Sequence, residues 1–437
     1  MIESTKEAGF TAVDFDRFLG SRNEPDWLLE RRRESWDRFE QLPWPSRRDE
    51  EWIRTDIRLF KLGNFSLPLE SEFPGEPGDS LLSQGLELGG QSISINGQST
   101  HSVLSESLKS QGVLFGSISQ LLQDHDELVK ELLSRCQLQA GADRFSALNH
   151  ACWSGGHLLY VPRGVAIEEA IHLHSVLSDG GVDLAQTMIV LEEGASATVL
   201  AEMNSQGDGQ VGLHCGSLEM MLGAGANLRY VNLQNWSDAT WHFAQHHATL
   251  GQDASLQWTS AAMGSRLSKV NQHVTLDGRG ANCQVNGVLF TEGKQHLSYH
   301  TLQHHKAPGC RSDFLYKSAL QDRSRTVWRG MIKVDPAGQQ TDGYQRNDNL
   351  LLSDQARADS IPGLEIEADD VRCTHGSTTS QVDEEIIFYA TCRGLTRGEA
   401  VRLIVSGFFQ QIFDRITIDS VRDALAEAIA RRVRDFE

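Results

Sequence analysis

Several features that would place a protein in a common class are missing from this chain of 437 residues. No stretch approaches the ~18 consecutive apolar residues of a membrane span. The first ten residues, MIESTKEAGF, lack the apolar core of a secretion signal. The seven cysteines include no CxxC pair, which argues against a preformed zinc knuckle or ferredoxin-type cluster site. They are odd in number and scattered, so we expect reduced thiols and a cytoplasmic location, or the plastid stroma in a plant or alga.

Positive charge and catalytic motifs are also scarce. The chain has 40 basic against 59 acidic residues and a net charge of −19, which argues against nucleic acid or an anionic membrane as a ligand. No G-x-x-x-x-G-K-[ST] phosphate loop occurs, so the chain should not bind or hydrolyse ATP by itself. No G-x-S-x-G nucleophile elbow occurs either. Neither an ATPase nor a hydrolase with that elbow is therefore expected.

A repeating β pattern fills the middle of the chain. Four runs share a Leu, a tight turn with Gly or Asp, an Ala and then alternating residues: VLEEGASATVL, MLGAGANLRYV, TLGQDASLQWT and TLDGRGANCQV. Their alanines, Ala195, Ala226, Ala254 and Ala281, are 31, 28 and 27 residues apart. Such a period is typical of a solenoid, and the irregular spacing favours a β-helix with loops of different length. A β-sandwich built of hairpins is the alternative.

Helical patterns flank this region. We predict a mainly helical region at 1–140, including a helix over Ser117–Leu138 and a loop over Leu67–Gly90, then a β-helix core at 141–385 and a helical region at 386–437. Thr396 and Glu399 form a capping box that begins a C-terminal helix. Because the open ends of a β-helix expose unpaired strand edges, they need a helix, a loop or another protein to cover them.

Cys373 and His375 are the strongest candidates for chemistry. In a strand, residues two apart point to the same face, so the thiol and the imidazole can share one space. This pair suits zinc, copper or an iron–sulfur species. Because a closed site needs about four ligands, two residues indicate an interface site that a second protein completes. The alternative is a half-buried thiol beside a surface histidine.

Two further groups of histidines are candidate metal ligands. They are His296, His300, His304 and His305, and His242, His246 and His247 beside Trp241. We interpret them as hydrogen-bonded strand residues. Adjacent acids such as Glu192 and Glu193 are interpreted as turn residues and solvated faces.

Five stretches resemble one family. They are DEEWIRTD from Asp49, FSALNHACWSGGHLLYVPRGVAIEEAIHLHSV from Phe145, QHHKAPGCRSDFLYK from Gln303, TDGYQRNDNLLLS from Thr341, and the segment from Glu367 to Phe409. The chain resembles the SufB/SufD iron–sulfur cluster assembly proteins over nearly its full length, most weakly in its first 140 residues. Cys-Thr-His at 373–375 is similar to the SufD branch, because SufB-like chains read more like Val-Glu-His there.

The resemblance implies a right-handed parallel β-helix with helical regions at both ends. It implies pairing with SufB through the end of the β-helix and docking of the ATPase subunit SufC on the C-terminal helical region. It also implies a transient cluster shared with SufB, with His375 as a ligand and Cys373 beside it. The docking residues would be Arg393, Gly394, Leu395, Thr396 and Glu399.

Two competing functions stay open from the sequence. A β-helix polysaccharide lyase or hydrolase is one, although such enzymes are usually secreted. A scaffold that only stabilises a partner and has no metal role is the other.

Overall fold

The structure is a computed structural model that describes residues 9–68, 77–138, 141 and 143–433. Its helices are α1 (Ala12–Gly20), α2 (Asp26–Gln41), α3 (Glu106–Ser110), α4 (Ile118–Asp124), α5 (Asp126–Arg135), α6 (Arg144–Cys152), α7 (Glu384–Cys392), α8 (Arg397–Phe413) and α9 (Asp419–Arg432). Its strands are β1 (Leu88–Ile95), β2 (Gln98–Leu104), β3 (Leu114–Ser117), β4 (Gly156–Val161), β5 (Ala170–Leu177), β6 (Gly181–Asp183), β7 (Gln186–Leu191), β8 (Ser196–Ser205), β9 (Gly212–Leu222), β10 (Asn227–Asn235), β11 (Thr240–Leu250), β12 (Ser255–Ala262), β13 (Leu267–Leu276), β14 (Asn282–Thr291), β15 (His296–His305), β16 (Arg311–Leu320), β17 (Arg325–Val334), β18 (Thr341–Leu351), β19 (Arg357–Ile366) and β20 (Val371–Gln381).

The strands form a parallel β-solenoid of about eight turns. From β7 onward successive long strands alternate between two sheets. Sheet A runs β2-β1-β5-β8-β10-β12-β14-β16-β18-β20, and sheet B runs β19-β17-β15-β13-β11-β9-β7-β4-β3. The predicted coil is confirmed and the sandwich of hairpins is wrong, because neighbouring strands within each sheet are parallel from β4 and β5 onward. The right-handed sense stays a prediction.

The four repeated alanines mark equivalent corners of successive coils. Each one directly precedes a sheet A strand, and the strand residues that follow pair with one another in unbroken register. All four side chains are buried. In the next two coils the same place is taken by Cys310 and Thr341. A small side chain is needed there because the turn closes tightly against the coil before it.

The interior is filled by the inward-facing side chains of both sheets. One inward row of sheet A is Val199, Tyr230, Trp258, Val285 and Phe314, in register through consecutive coils. Every member is buried in the largest apolar cluster. Since side chains alternate across a strand, this row fixes which residues of the later coils point inward.

The N-terminal region closes one end of the solenoid and covers sheet B. Strands β1 and β2 form an antiparallel hairpin on sheet A, and β3 pairs antiparallel with β4 on sheet B. These three strands lie in the stretch predicted as mainly helical. The predicted helix over Ser117–Leu138 is two helices, α4 and α5, separated at His125. The predicted loop over Leu67–Gly90 ends at Leu88, where β1 begins, and residues 69–76 lie outside the described residues.

The C-terminal helices pack on the outer face of sheet A, not over the end of the coil. The capping box is confirmed, since Thr396 Oγ1 accepts from the Glu399 amide and the Glu399 side chain accepts from the Thr396 amide. Lys317 of β16 donates to the Phe408 carbonyl at 2.8 Å, which fixes α8 on the sheet. Among the described residues, no helix is long and apolar enough to cross a membrane.

Candidate metal centre at the open end of the solenoid

The last coil leaves two strand edges open. Strand β19 pairs only with β17, and β20 pairs only with β18, so in the described part of the chain nothing pairs with their outer edges. An unpaired strand edge presents a row of backbone donors and acceptors to a partner chain. We call this surface, formed by β19 and β20 and the inward-facing residues of the last coil, the open end.

The structure places both Cys373 and His375 on the inward-facing row of β20. Cys373 is in register with Gly343, and His375 with Gln345, which follows Phe314 in the buried row of sheet A. A Cβ atom added to Gly343 would lie 3.4 Å from Cys373 Sγ, so the thiol rests over a glycine. At the equivalent positions of an earlier coil, both side chains would be buried in the core. With no further coil above them, His375 is exposed and Cys373 is half-buried.

The environment of Cys373 favours the protonated thiol. Burial raises its pKa, a hydrogen bond from the Gly343 backbone opposes that shift, and the Asp342 carboxylate raises the pKa further. A metal must therefore displace a proton to gain this ligand. Among the described residues, no three His, Cys, Asp or Glu side chains come close enough to hold a metal ion. The open end thus carries two candidate ligands and, within the part of the chain that the structure describes, no complete site.

A polar layer lies directly beneath Cys373 and His375. Gln345 is wholly buried and its Nε2 donates to the Gly363 carbonyl of β19 at 2.9 Å, so its side chain crosses from sheet A to sheet B. Asn349 Nδ2 donates to Asn347 Oδ1 at 2.9 Å and to Ser360 Oγ at 3.1 Å. In earlier coils the equivalent positions hold Phe314, Tyr316 and Trp328, so these three positions turn polar in the last layer.

The other half of the open end is apolar. Leu364 and Ile366 of β19 are in register with Ile332 and Val334, which are fully buried. In the last coil, however, they are 40% and 37% exposed. An exposed apolar strip beside unpaired strand edges is typical of a surface that another protein covers.

Sequence reasoning missed the polar layer and the apolar strip. Their signal is the strand phase: Gln345, Asn347 and Asn349 alternate in TDGYQRNDNLL, as inward-facing residues do. Without the register, that phase could not be assigned to the inside of the coil.

The other candidate histidines lie elsewhere, and most are held by hydrogen bonds. His300 Nδ1 pairs with Glu51 at 2.6 Å, His304 Nε2 with Asp335 at 2.9 Å, and His305 Nε2 with Ser312 at 2.8 Å. His242 accepts from Trp236, and His247 pairs with Glu219 and Thr275. Burial lowers the pKa of His296 to about 4 and that of His246 to about 3. These histidines are therefore better explained as hydrogen-bonded strand residues than as metal ligands.

A second exposed surface lies at the turn between α7 and α8. Gly394 ends α7 with φ of +94°, a left-handed conformation that favours glycine. Arg393, Gly394, Thr396 and Glu399 are exposed, and Leu395 is half-buried. The adjoining face of α7 exposes Phe388 by 70% and Tyr389 by 60%, with the Arg393 guanidinium 5.1 Å from the Tyr389 ring centre. Sequence reasoning missed both aromatics, because IIFYATC shows no one-sided helical pattern.

Comparison with known proteins supplies the family. The family described as "SUF system FeS cluster assembly, SufBD core domain" matches residues 175–408, and "SufBD protein N-terminal region" matches residues 18–173. A SufBD family protein of Staphylococcus saprophyticus is 25% identical over 92% of this chain and 89% of its own length. SufBD family relatives from Mycobacterium leprae and Mycobacterium bovis are 33% and 32% identical, over 66% and 68% of this chain and 74% and 75% of their own lengths. The chain therefore belongs to the SufBD family of iron–sulfur cluster assembly proteins.

Proposed function

We propose that the chain is the SufD-type subunit of a SufBCD scaffold and does not itself catalyse a reaction. It would pair with a SufB-type partner through the open end and share with it a nascent iron–sulfur cluster, which is cargo and not a resident cofactor. The observation that supports this proposal is a thiol and an imidazole on the inward-facing row of an uncovered solenoid end. Such a site gains its remaining ligands only when a second protein covers the end.

Strand pairing supplies the geometry of such an interface. If the partner adds its own strands to β19 and β20, each new backbone hydrogen bond contributes about 0.5–1.5 kcal/mol. Leu364 and Ile366 would be buried against the partner, while Cys373 and His375 would face its ligands across the junction. Histidine in place of a thiolate raises the potential of an iron–sulfur species, and we expect a looser site from which a cluster can leave.

Energy for release would come from another subunit, since the sequence has no phosphate loop. We propose that a SufC-type ATPase docks at the turn between α7 and α8, through Arg393, Gly394, Leu395, Thr396 and Glu399. Because α8 is fixed to β16 by Lys317, movement of that turn would reach the sheet that ends in β20. For this coupling the ATPase must bind the two states of the scaffold with different affinity. We place the complex in the cytoplasm, or in the plastid stroma of a plant or alga.

The test is His375→Ala in the complex co-expressed with SufB-type and SufC-type partners under anaerobic conditions. His101→Ala is the matched control, because His101 is an exposed strand histidine on β2, at the other end of the solenoid. We expect His375→Ala to lower iron and acid-labile sulfide per complex at least severalfold, with both partners still bound. Cys373→Ser should lower them less.

Two results would speak against the proposal. Iron and sulfide equal to the control in both variants would remove the pair from the site and leave only the scaffold without a metal role. A chain that binds neither partner would remove the SufD assignment itself. The polysaccharide-enzyme alternative has no support from the family comparison.

A further inference from the structure

The charged segment DEEWIRTD makes contacts that the proposed function does not use. We call residues Asp49–Asp56 the strap. It includes a 3₁₀ turn at Glu50–Trp52 and lies on the outer face of sheet B. Trp52 is buried there, with its ring 5.6 Å from that of Phe145 and 5.6 Å from Lys269 Nζ.

Glu51 is the ionic centre of the strap. Its Oε2 accepts from His300 Nδ1 at 2.6 Å and lies 3.9 Å from Lys269 Nζ, and its Oε1 accepts from Arg329 at 2.9 Å. These three partners belong to β13, β15 and β17, so one carboxylate joins three consecutive strands. Burial lowers the pKa of His300 to about 4, so at neutral pH a neutral imidazole donates its Nδ1–H to the carboxylate.

Two more contacts hold the strap to the sheet, and the second of them extends its reach to the last strand. Thr55 Oγ1 and Ser298 Oγ lie 3.0 Å apart, both buried. Arg54 lies 3.9 Å from Asp359 of β19, the last strand of sheet B. Asp359 is also bound by Arg325 of β17 and by Arg357 at 2.9 Å. The strap therefore reaches from β13 to the open end.

We infer that the strap sets the position of the open end, and that Glu51 is its positioning residue. Strand β19 has a neighbour on one side only, so its order depends on the β17 ladder and on what holds β17. On sheet A, α8 holds β16, which pairs with β18, the neighbour of the last strand β20. The strap supplies the equivalent support on sheet B. A consequence for cluster formation rests on the proposed function, but the positioning itself does not.

The experiment uses hydrogen exchange of the isolated full-length chain. Glu51→Gln removes the charge and keeps the shape. We expect amides of Arg357–Ile366 that bond to β17 to exchange about tenfold faster, the factor that ~1.4 kcal/mol of local opening corresponds to. Exchange in α9 should stay as in the unsubstituted chain. Asp56→Asn is the matched control, since this strap carboxylate pairs with Arg58, two residues further along the chain, at 2.6 Å and not with a strand of sheet B.

A disulfide across the strap makes the test reversible. A double variant, Thr55→Cys with Ser298→Cys, would place two thiols where the two hydroxyl oxygens now lie 3.0 Å apart. In the Glu51→Gln background, oxidation should restore slow exchange in β19 and reduction should remove it. If Glu51→Gln does not fold, the cysteine pair alone should slow β19 exchange on oxidation.

Two outcomes overturn the inference. In the first, the β19 amides of Glu51→Gln exchange at the same rate as those of the unsubstituted chain. In the second, Glu51→Gln exchanges faster throughout, with the increase spread evenly through α9 and the first coils. Neither depends on a cluster or a partner, so failure here is separable from failure of the proposed function.

Discussion

Cys373 and His375 differ from core residues only by the coil in which they stand. Their row contains Cys283, Val285 and Phe314 two or three coils earlier, all fully buried. The same inward direction becomes a binding direction once the coil above is missing. A residue at this place must therefore tolerate burial in the complex and water in the free chain, which a neutral thiol and an imidazole both do.

Lys269 is the buried cation whose removal is easiest to interpret. It is 3% exposed, donates to Asn271 Oδ1 at 2.7 Å, and burial lowers its pKa from 10.5 to about 7. Between pH 7 and 10.5 the unfolded chain therefore binds a proton that the folded chain does not. Stability of the unsubstituted chain should rise with pH through this window because of Lys269, and the cost of the buried charge is fully present below it.

We predict that Lys269→Met gains stability relative to the unsubstituted chain at pH 6.5, by roughly a few kcal/mol more than at pH 10, because only at the lower pH does the unsubstituted chain carry the buried ammonium. The gain should fade as the pH rises toward 10. Chemical denaturation of both proteins at several pH values measures it. A gain that is the same at every pH, or a loss, would show that burial of the ammonium is not the dominant cost.

At the scale of elements, α7 and α8 form a compact hairpin with one apolar face inside and one outside. Ile387 is buried against α8 and the sheet, while Phe388 and Tyr389 point to solvent. Arg397 of α8 forms two hydrogen bonds to the Glu384 carboxylate, at 2.7 and 2.6 Å, which joins the starts of the two helices. The exposed aromatics therefore stand on a fixed frame, as a docking surface requires.

We predict that Tyr389→Glu weakens capture of a SufC-type ATPase by about 30-fold, because a central interface aromatic commonly contributes ~2 kcal/mol or more. Val103→Glu on β2 is the control, since Val103 is an apolar residue at the other end that is also more than half exposed. Titration of the labelled ATPase against both variants gives the ratio. Equal affinities would move the docking site away from α7.

The sequence could predict those elements that depend on local patterns, and it could not predict those that depend on contacts between distant residues. The Ala195 to Ala281 repeat and the Thr396 capping box are local, and both predictions are confirmed. Later coils were not recognised as repeats, because Cys310 and Thr341 replace the alanine at the corner. The β1–β2 hairpin was missed because its strands lie next to a Gly- and Pro-rich stretch. The Glu51–His300 pair joins residues 249 apart in sequence, and no local pattern carries that information.

As a whole molecule, the solenoid has two unlike ends. The first is closed by the β1–β2 hairpin and by β3, whose antiparallel direction interrupts the stacking. The last ends in full-length parallel strands with nothing beyond them in the described residues. A long, flat edge left bare promotes uncontrolled association. The asymmetry therefore indicates a chain built to be covered on one side, where the candidate ligands lie.

The most direct test of this account is hydrogen exchange of the chain with and without a SufB-type partner. Residues of a strand alternate in direction, so about half of the amides in Val371–Gln381 point to the free edge. Binding of the partner should slow exchange at alternate residues of β20 and of β19, with the faces of both sheets unchanged. Protection confined to the sheet faces or the N-terminal helices, with these edge amides still exchanging freely, would contradict it.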